Sequence, residues 1–176
     1  MRIIGGQYKG FRFDPPANIS ARPTTDRAKE SLVNILLSNY GIDSKRSLDL
    51  FSGTGNMAYE LASQGSGHVT AIDISFHSVD YIRRTFSSLK YSNFIAIKSD
   101  VFKWLNQNHE VTYDIIFADP PYDDIRMAHI PELIYTNNLL SDNGVLVVEH
   151  RSTLTFQHEK LKYHRDYGQS RFSFFE

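Results

Sequence analysis

From residue 47 onward the chain alternates between two hydrophobic periods, and this restricts its fold more than any other feature. Short apolar runs rich in β-branched and aromatic residues are separated by stretches with apolar residues three and four apart. Ser47-Leu48-Asp49-Leu50-Phe51 reads as a strand, Ser52-Gly53-Thr54-Gly55 as a turn, and residues 56–64 as a helix that Gly65 ends. Residues 68–73 form a second strand, and 75–90 a helix with the stripe Val79, Ile82, Phe86 and Leu89. Residues 93–98 form a third strand, with a short helix after Asp100. Tyr113-Asp114-Ile115-Ile116-Phe117-Ala118 is nearly continuously apolar, as in a strand buried on both faces. A helix over about 126–138, a strand over 144–149 and two tail strands near 161–167 and 170–175 complete the pattern. Strand–helix alternation with short connections predicts an α/β fold with a doubly wound, mostly parallel sheet.

Residues 1–46 read differently. Arg2-Ile3-Ile4 and Gly10-Phe11-Arg12-Phe13, around Gly5-Gly6, predict a hairpin that Pro15-Pro16 ends. A loop over 17–24 leads to a helix capped by Thr25 or Asp26, with Ala28, Leu32, Ile35 and Leu36 on one face and an end near Tyr40-Gly41. The expected division is an N-terminal hairpin and helix over 1–46 and a core over 47–176. Net charge is −1 over 176 residues, but residues 1–29 carry +4, from Arg2, Lys9, Arg12, Arg22, Arg27 and Lys29 against Asp14 and Asp26. A basic end on a near-neutral chain points to a local anionic contact. Cysteine is absent, which excludes disulfides, thiolate nucleophiles and Cys-held metals. The seven histidines form no metal-binding pattern, and Ser52 is not in a nucleophile elbow. No apolar run approaches a membrane span, and polar residues follow Met1–Gly6, so the expected compartment is the cytoplasm.

In a doubly wound sheet the ligand lies beyond the carboxyl ends of the strands. The first strand leads into Ser52-Gly53-Thr54-Gly55, where glycines let backbone approach a ligand. Asp73 ends the second strand and suits a ribose diol, although an Asp there also serves as a helix cap. The turn lacks the third glycine of a dinucleotide fingerprint, since Ala58 stands there. Asp49 repels a pyrophosphate and favours a cation. A ligand with an α-amino group, a ribose and no phosphate fits, and S-adenosylmethionine has these features. Asp100, at the third strand's end, can accept from an adenine amino group with Val101 or Phe102 against the ring, or can cap the next helix.

Asp119-Pro120-Pro121-Tyr122 follows the fourth strand. Two prolines fix the backbone and remove donors, leaving the Asp119 carboxylate and nearby carbonyls as rigid acceptors. Tyr122 offers a ring for stacking. Such a corner suits an exocyclic amino group on a base, held with its nitrogen towards an electrophile. Glu149-His150, at the fifth strand's end, is placed to line the cleft but reads first as a satisfied surface pair.

These motifs together resemble the RsmD-type family, bacterial methyltransferases that place one methyl on N2 of a guanine in small-subunit ribosomal RNA. The resemblance rests on Met1-Arg2-Ile3-Ile4-Gly5-Gly6, on Arg22-Pro23-Thr24-Thr25-Asp26-Arg27 with Glu30, on Asp49 to Gly55, on Asp119 to Tyr122, and on Tyr167-Gly168-Gln169-Ser170. One departure is Asn56-Met57-Ala58-Tyr59-Glu60-Leu61-Ala62, where members often carry Gly-x-x-x-Glu-Ala. The resemblance implies a Rossmann-like class I S-adenosylmethionine-dependent methyltransferase with seven strands, one of them antiparallel. It implies that Asp49, Phe51, Gly53, Gly55, Asp73, Ile74, Asp100, Val101 and Asp119 hold the cofactor, and that Asp119, Pro120, Pro121 and Tyr122 hold the base. Arg2, Lys9, Arg12, Arg22, Thr24 and Arg27 are the expected RNA contacts. Ribosomal RNA, naked or in a partly assembled 30S particle, is the implied partner of a monomer that needs neither metal nor membrane. Methyl transfer to adenine N6 in DNA or to a protein glutamine, and a non-catalytic RNA-binding assembly factor, are the alternatives.

Overall fold

A computed structural model of the chain describes residues 1–17, 19 and 25–176. The elements are α1 (Asp26–Asn39), β1 (Arg46–Leu50), α2 (Asn56–Ser63), β2 (His68–Asp73), α3 (Phe76–Ser88), β3 (Phe94–Lys98), α4 (Val101–Leu105), β4 (Tyr113–Ala118), α5 (Ile130–Thr136), β5 (Leu140–Arg151), β6 (Leu161–Tyr167) and β7 (Ser170–Phe175). The strands form one sheet in the order β3-β2-β1-β4-β5-β7-β6. The first five are parallel, and β7 runs antiparallel between β5 and β6. This is the expected doubly wound, Rossmann-like architecture with seven strands.

Alternate residues of each central strand enter different cores. Ile115, Phe117, Val145 and Val147 pack under α1, α2 and α3, whereas Ile116, Ala118, Leu146 and Val148 pack under α4 and α5. A strand's side-chain period of two, with helices on both faces, explains why β4 reads as one apolar run.

Several boundaries depart from the sequence reading. The expected helix over 126–138 is a 3-10 stretch, Ile125–His129, followed by α5 with Pro131 in its first turn. A continuous helix would drive the Pro131 ring into the Met127 carbonyl. Strand β5 begins four residues earlier than expected, at Leu140, and its pairing with β4 shifts register between Tyr113 and Ile115. The expected N-terminal hairpin is reduced to a single antiparallel bridge, Arg2 with Arg12. Thr25 is the cap of α1, accepting from the Ala28 N–H at 3.3 Å.

A buried ion pair fastens residues 1–6 to α2. Lys29, counted above with the basic residues of the N-terminal end, is 1% exposed, and its Nζ lies 3.3 Å from the fully buried Glu60. Lys29 also donates to the Arg2 carbonyl at 2.7 Å and to Asn56 Oδ1 at 2.8 Å. Glu60 accepts from the backbone N–H groups of Ile4 and Gly5, both at 2.9 Å. Ile3 and Phe13 thereby join the core beside α1, α2 and α3.

Candidate active site

Parallel register brings the strand ends to one edge. Leu50 lies opposite Ile72 and Ala118, and Asp73 opposite Lys98, so the residues after β1, β2, β3 and β4 emerge side by side. The strand order reverses between β1 and β4, and a cavity of about 640 Å³ opens there. That volume lies within the range of small-ligand sites.

The cavity is lined by Asp49, Phe51, Gly53, Asp73, Ile74, Asp100, Val101, Asp119, Pro120, Pro121 and Tyr122. Eleven of the expected site residues thus face one space. Gly55 does not line it. It sits behind the turn as the left-handed cap of α2, at φ +79°, where a Cβ would come within 2.7 Å of the Tyr59 ring and 2.8 Å of Ile82. Its requirement is packing and backbone conformation. Phe51, expected as the last residue of β1, instead turns out of the strand at φ +60°.

Asp73 organises the turn from the neighbouring strand. One carboxylate oxygen accepts from the Gly53 N–H and the other from the Ser75 N–H, each at 2.8 Å. The cap of α3 is Ser75 and not Asp73. Asp100 both lines the cavity and caps α4, accepting from the Lys103 N–H at 2.9 Å. Asp49 is 2% exposed and accepts from the Ala58 N–H at 3.0 Å. Burial pushes its carboxyl up, to about 8; the Ala58 N–H opposes the shift and the charge of Asp73 adds to it. An acid desolvated beside another acid favours a cationic partner. Two carboxylates, an apolar wall of Ile74 and Val101, and the glycine turn fit the amino, ribose and base parts of S-adenosylmethionine.

The Asp119–Tyr122 corner lines the same cavity beside the end of β1. The Asp119 N–H donates to the Leu50 carbonyl at 3.3 Å, which ties β4's exit to β1's. The Tyr122 hydroxyl lies 2.8 Å from Ser170 Oγ on β7.

The sequence reading missed Met1, Asn56, Asp124 and Arg126, all of which line the cavity. Arg126 is held to Asp124 at 2.7 Å and stacks 4.2 Å over the Phe102 ring. Its only sequence signal was proximity to Tyr122. Glu149 and His150 are not a surface pair: they are 4% and 0% exposed. The His150 ring bonds Ser173 Oγ at 2.7 Å, and burial lowers its pKa to about 4.

Of the expected RNA contacts, Lys9, Arg12 and Arg27 are exposed. Arg2 is exposed and paired with Asp26 at 3.0 Å. Arg22 and Thr24 lie outside the described residues. Among the described residues no group of three or more His, Asp or Glu side chains could hold a metal ion, and no helix is long and apolar enough to cross a membrane.

A family model described as "Conserved hypothetical protein 95" matches residues 1–176. Ribosomal RNA small subunit methyltransferase D of Buchnera aphidicola subsp. Baizongia pistaciae is 31% identical over 154 residues, covering 88% of this chain and 78% of that protein. The protein of the same name from Escherichia coli K12 is 34% identical over 149 residues, covering 85% and 71%. The solved structure of yhhF from Escherichia coli is 26% identical, covers 99% of this chain and 96% of its own, and superposes with a TM-score of 0.88.

Proposed function

The chain belongs to the family described as conserved hypothetical protein 95, and on that premise we propose that it transfers a methyl group from S-adenosylmethionine to the exocyclic N2 of a guanine in small-subunit ribosomal RNA. It is a methyltransferase of small-subunit ribosomal RNA, like its relatives of 31% and 34% identity. The observation that carries the finer reading is the shared cavity: the acids and glycine turn form one wall, and the Asp-Pro-Pro-Tyr corner forms another. Cytoplasmic 30S assembly intermediates or naked rRNA are its substrates.

S-adenosylmethionine, when bound, supplies an electrophilic methyl group. Asp49 takes its ammonium group, Asp73 its ribose hydroxyls, and Ile74 and Val101 the faces of its adenine. The target guanine leaves its stack to enter the site, and Tyr122 stacks on it. The Asp119 carboxylate and the Pro120 carbonyl accept the two N2 hydrogens. This orientation directs the nitrogen lone pair into the cavity, and the Asp119 charge offsets positive charge developing on nitrogen. Catalysis of this kind rests on positioning and fixed electrostatics. The N-terminal segment 1–46 supplies backbone contacts to the RNA through Lys9, Arg12, Arg22 and Arg27.

The test uses small-subunit rRNA from cells that lack the protein, with nucleosides analysed by mass spectrometry. Wild type should yield N2-methylguanosine at one position. Asp119→Ala should bind cofactor within a few-fold of wild type and transfer methyl about 10²–10³ more slowly. Methylation at adenine, or undiminished turnover in Asp119→Ala, would reject the reading.

A further inference from the structure

The Tyr167-Gly168-Gln169-Ser170 motif has no role in the cavity just described, yet its last residue bonds the ring assigned to the target base. Ser170 lies opposite Arg151 in the β5–β7 ladder, so the two flank Tyr122 from adjoining strands. The Arg151 guanidinium stands 5.3 Å over the Tyr122 ring centre. Tyr122 lines the cavity and Arg151 does not. The guanidinium therefore packs on the ring from outside the residues that line the cavity.

Arg151 is engaged loosely. Its ion pair is with Asp123, at 3.4 Å, with the two side chains 56% and 94% exposed. A pair that exposed and that long contributes little, and an incoming anion displaces it readily. Neighbouring arginines are held differently. Arg171 makes two bonds to Asp166, at 2.6 and 3.0 Å, and Arg126 makes two to Asp124, at 2.9 and 2.7 Å. The adjoining ends of β6 and β7 carry Arg165 and Arg171 against Asp166. The turn after β6 is tied to α1 by the contact between Tyr167 and Ser31, one helical turn from the exposed Arg27.

We propose that Arg151 binds an RNA phosphate adjoining the target guanine and, stacked on Tyr122, is the positioning residue that holds that ring for the base. The assignment rests on the rRNA methyltransferase reading. A planar guanidinium suits both tasks, since it stacks on an aromatic face and still presents donors to a phosphate at its edge. Capturing a phosphate at this point couples strand docking to the ring the flipped base must meet.

The experiment compares wild type, Arg151→Ala and Arg151→Lys on unmethylated small-subunit rRNA, with kcat, KM and Kd measured across a salt series. Arg151→Ala should reduce kcat/KM for RNA at least tenfold and make the log Kd against log salt slope shallower by about 0.7–0.9, the value for one phosphate. Cofactor Kd should stay within twofold. Arg151→Lys should regain the slope but not kcat, because an ammonium has no plane to stack. An Arg151→Ala variant with slope and kcat/KM within twofold of wild type overturns the assignment. So do equal losses in both variants with an unchanged slope, the mark of a purely structural role. Absence of transfer by wild type would overturn the methyltransferase reading and this assignment together, whereas an active wild type with an indifferent Arg151→Ala overturns this one alone.

Discussion

Asp49 carries the site's clearest electrostatic signature. Its carboxyl is raised to about 8, chiefly by burial, so in the folded chain it holds a proton through a range where an exposed Asp is ionised. The folded state binds the extra proton, so this group's contribution to stability falls as pH rises from about 4 to 8. A cationic ligand binds the ionised form. Affinity for S-adenosylmethionine should therefore climb by up to tenfold per pH unit between about 6 and 7.5, below the pH where an α-amino group itself deprotonates. Calorimetry in buffers of differing ionisation heat should show nearly one proton released per cofactor at pH 7. Asp49→Asn should bind weakly and without that dependence. A flat wild-type profile would remove Asp49 from the ammonium subsite. Asp49 was legible in the sequence because strand alternation alone fixes which residue precedes the glycine turn. Arg151 was not, because its meaning depends on Tyr122, a neighbour 29 positions away in sequence that only the β5–β7 ladder and the loop after β4 bring near.

At the level of elements, the link between residues 1–6 and α2 decides whether the N-terminal segment is an appendage or part of the cofactor wall. Glu60 serves the Ile4 and Gly5 N–H groups as well as Lys29, and Lys29 in turn holds Asn56, which lines the cavity with Met1. Lys29→Met leaves the Glu60 charge buried without its counter-ion, and breaking such a pair costs about 3–5 kcal/mol. The expected results are a urea midpoint lowered accordingly and a cofactor affinity reduced several-fold at temperatures where the variant is folded. A loss below about 1 kcal/mol would show that the segment is held by Ile3 and Phe13 alone. The helices and strands of the core were readable from periodicity, including both tail strands. The 3-10 stretch before Pro131 and the early start of β5 were not, since a proline's position in a helix and a register shift are settled by the packing of α5 and β4. A buried Lys is equally unreadable: its partner lies 31 residues on, and an isolated Lys on a helix belongs by default to the surface.

Across the whole molecule, acid should loosen the fold by way of the end of β5. His150 is fully buried against Ser173 and Phe156, and burial holds its pKa near 4. The unfolded chain binds a proton here that the folded chain refuses, between about 6.5 and 4. Stability contributed by the neutral ring is present above about pH 6.5 and is lost as pH falls towards 4, by up to roughly 3 kcal/mol. Urea unfolding at pH 7 and pH 4.5 should record a smaller decline in His150→Gln than in wild type. Equal declines would place the acid sensitivity elsewhere.

Strand β7 is wedged between β5 and β6, although β6 precedes it in the sequence. Until residues 170–175 arrive, β5 presents an unpaired edge and β6 has no partner in the sheet. On a translating ribosome the nascent chain must therefore keep that border open while residues 152–175 are synthesised and leave the exit tunnel, a window in which an uncovered strand invites pairing with another polypeptide.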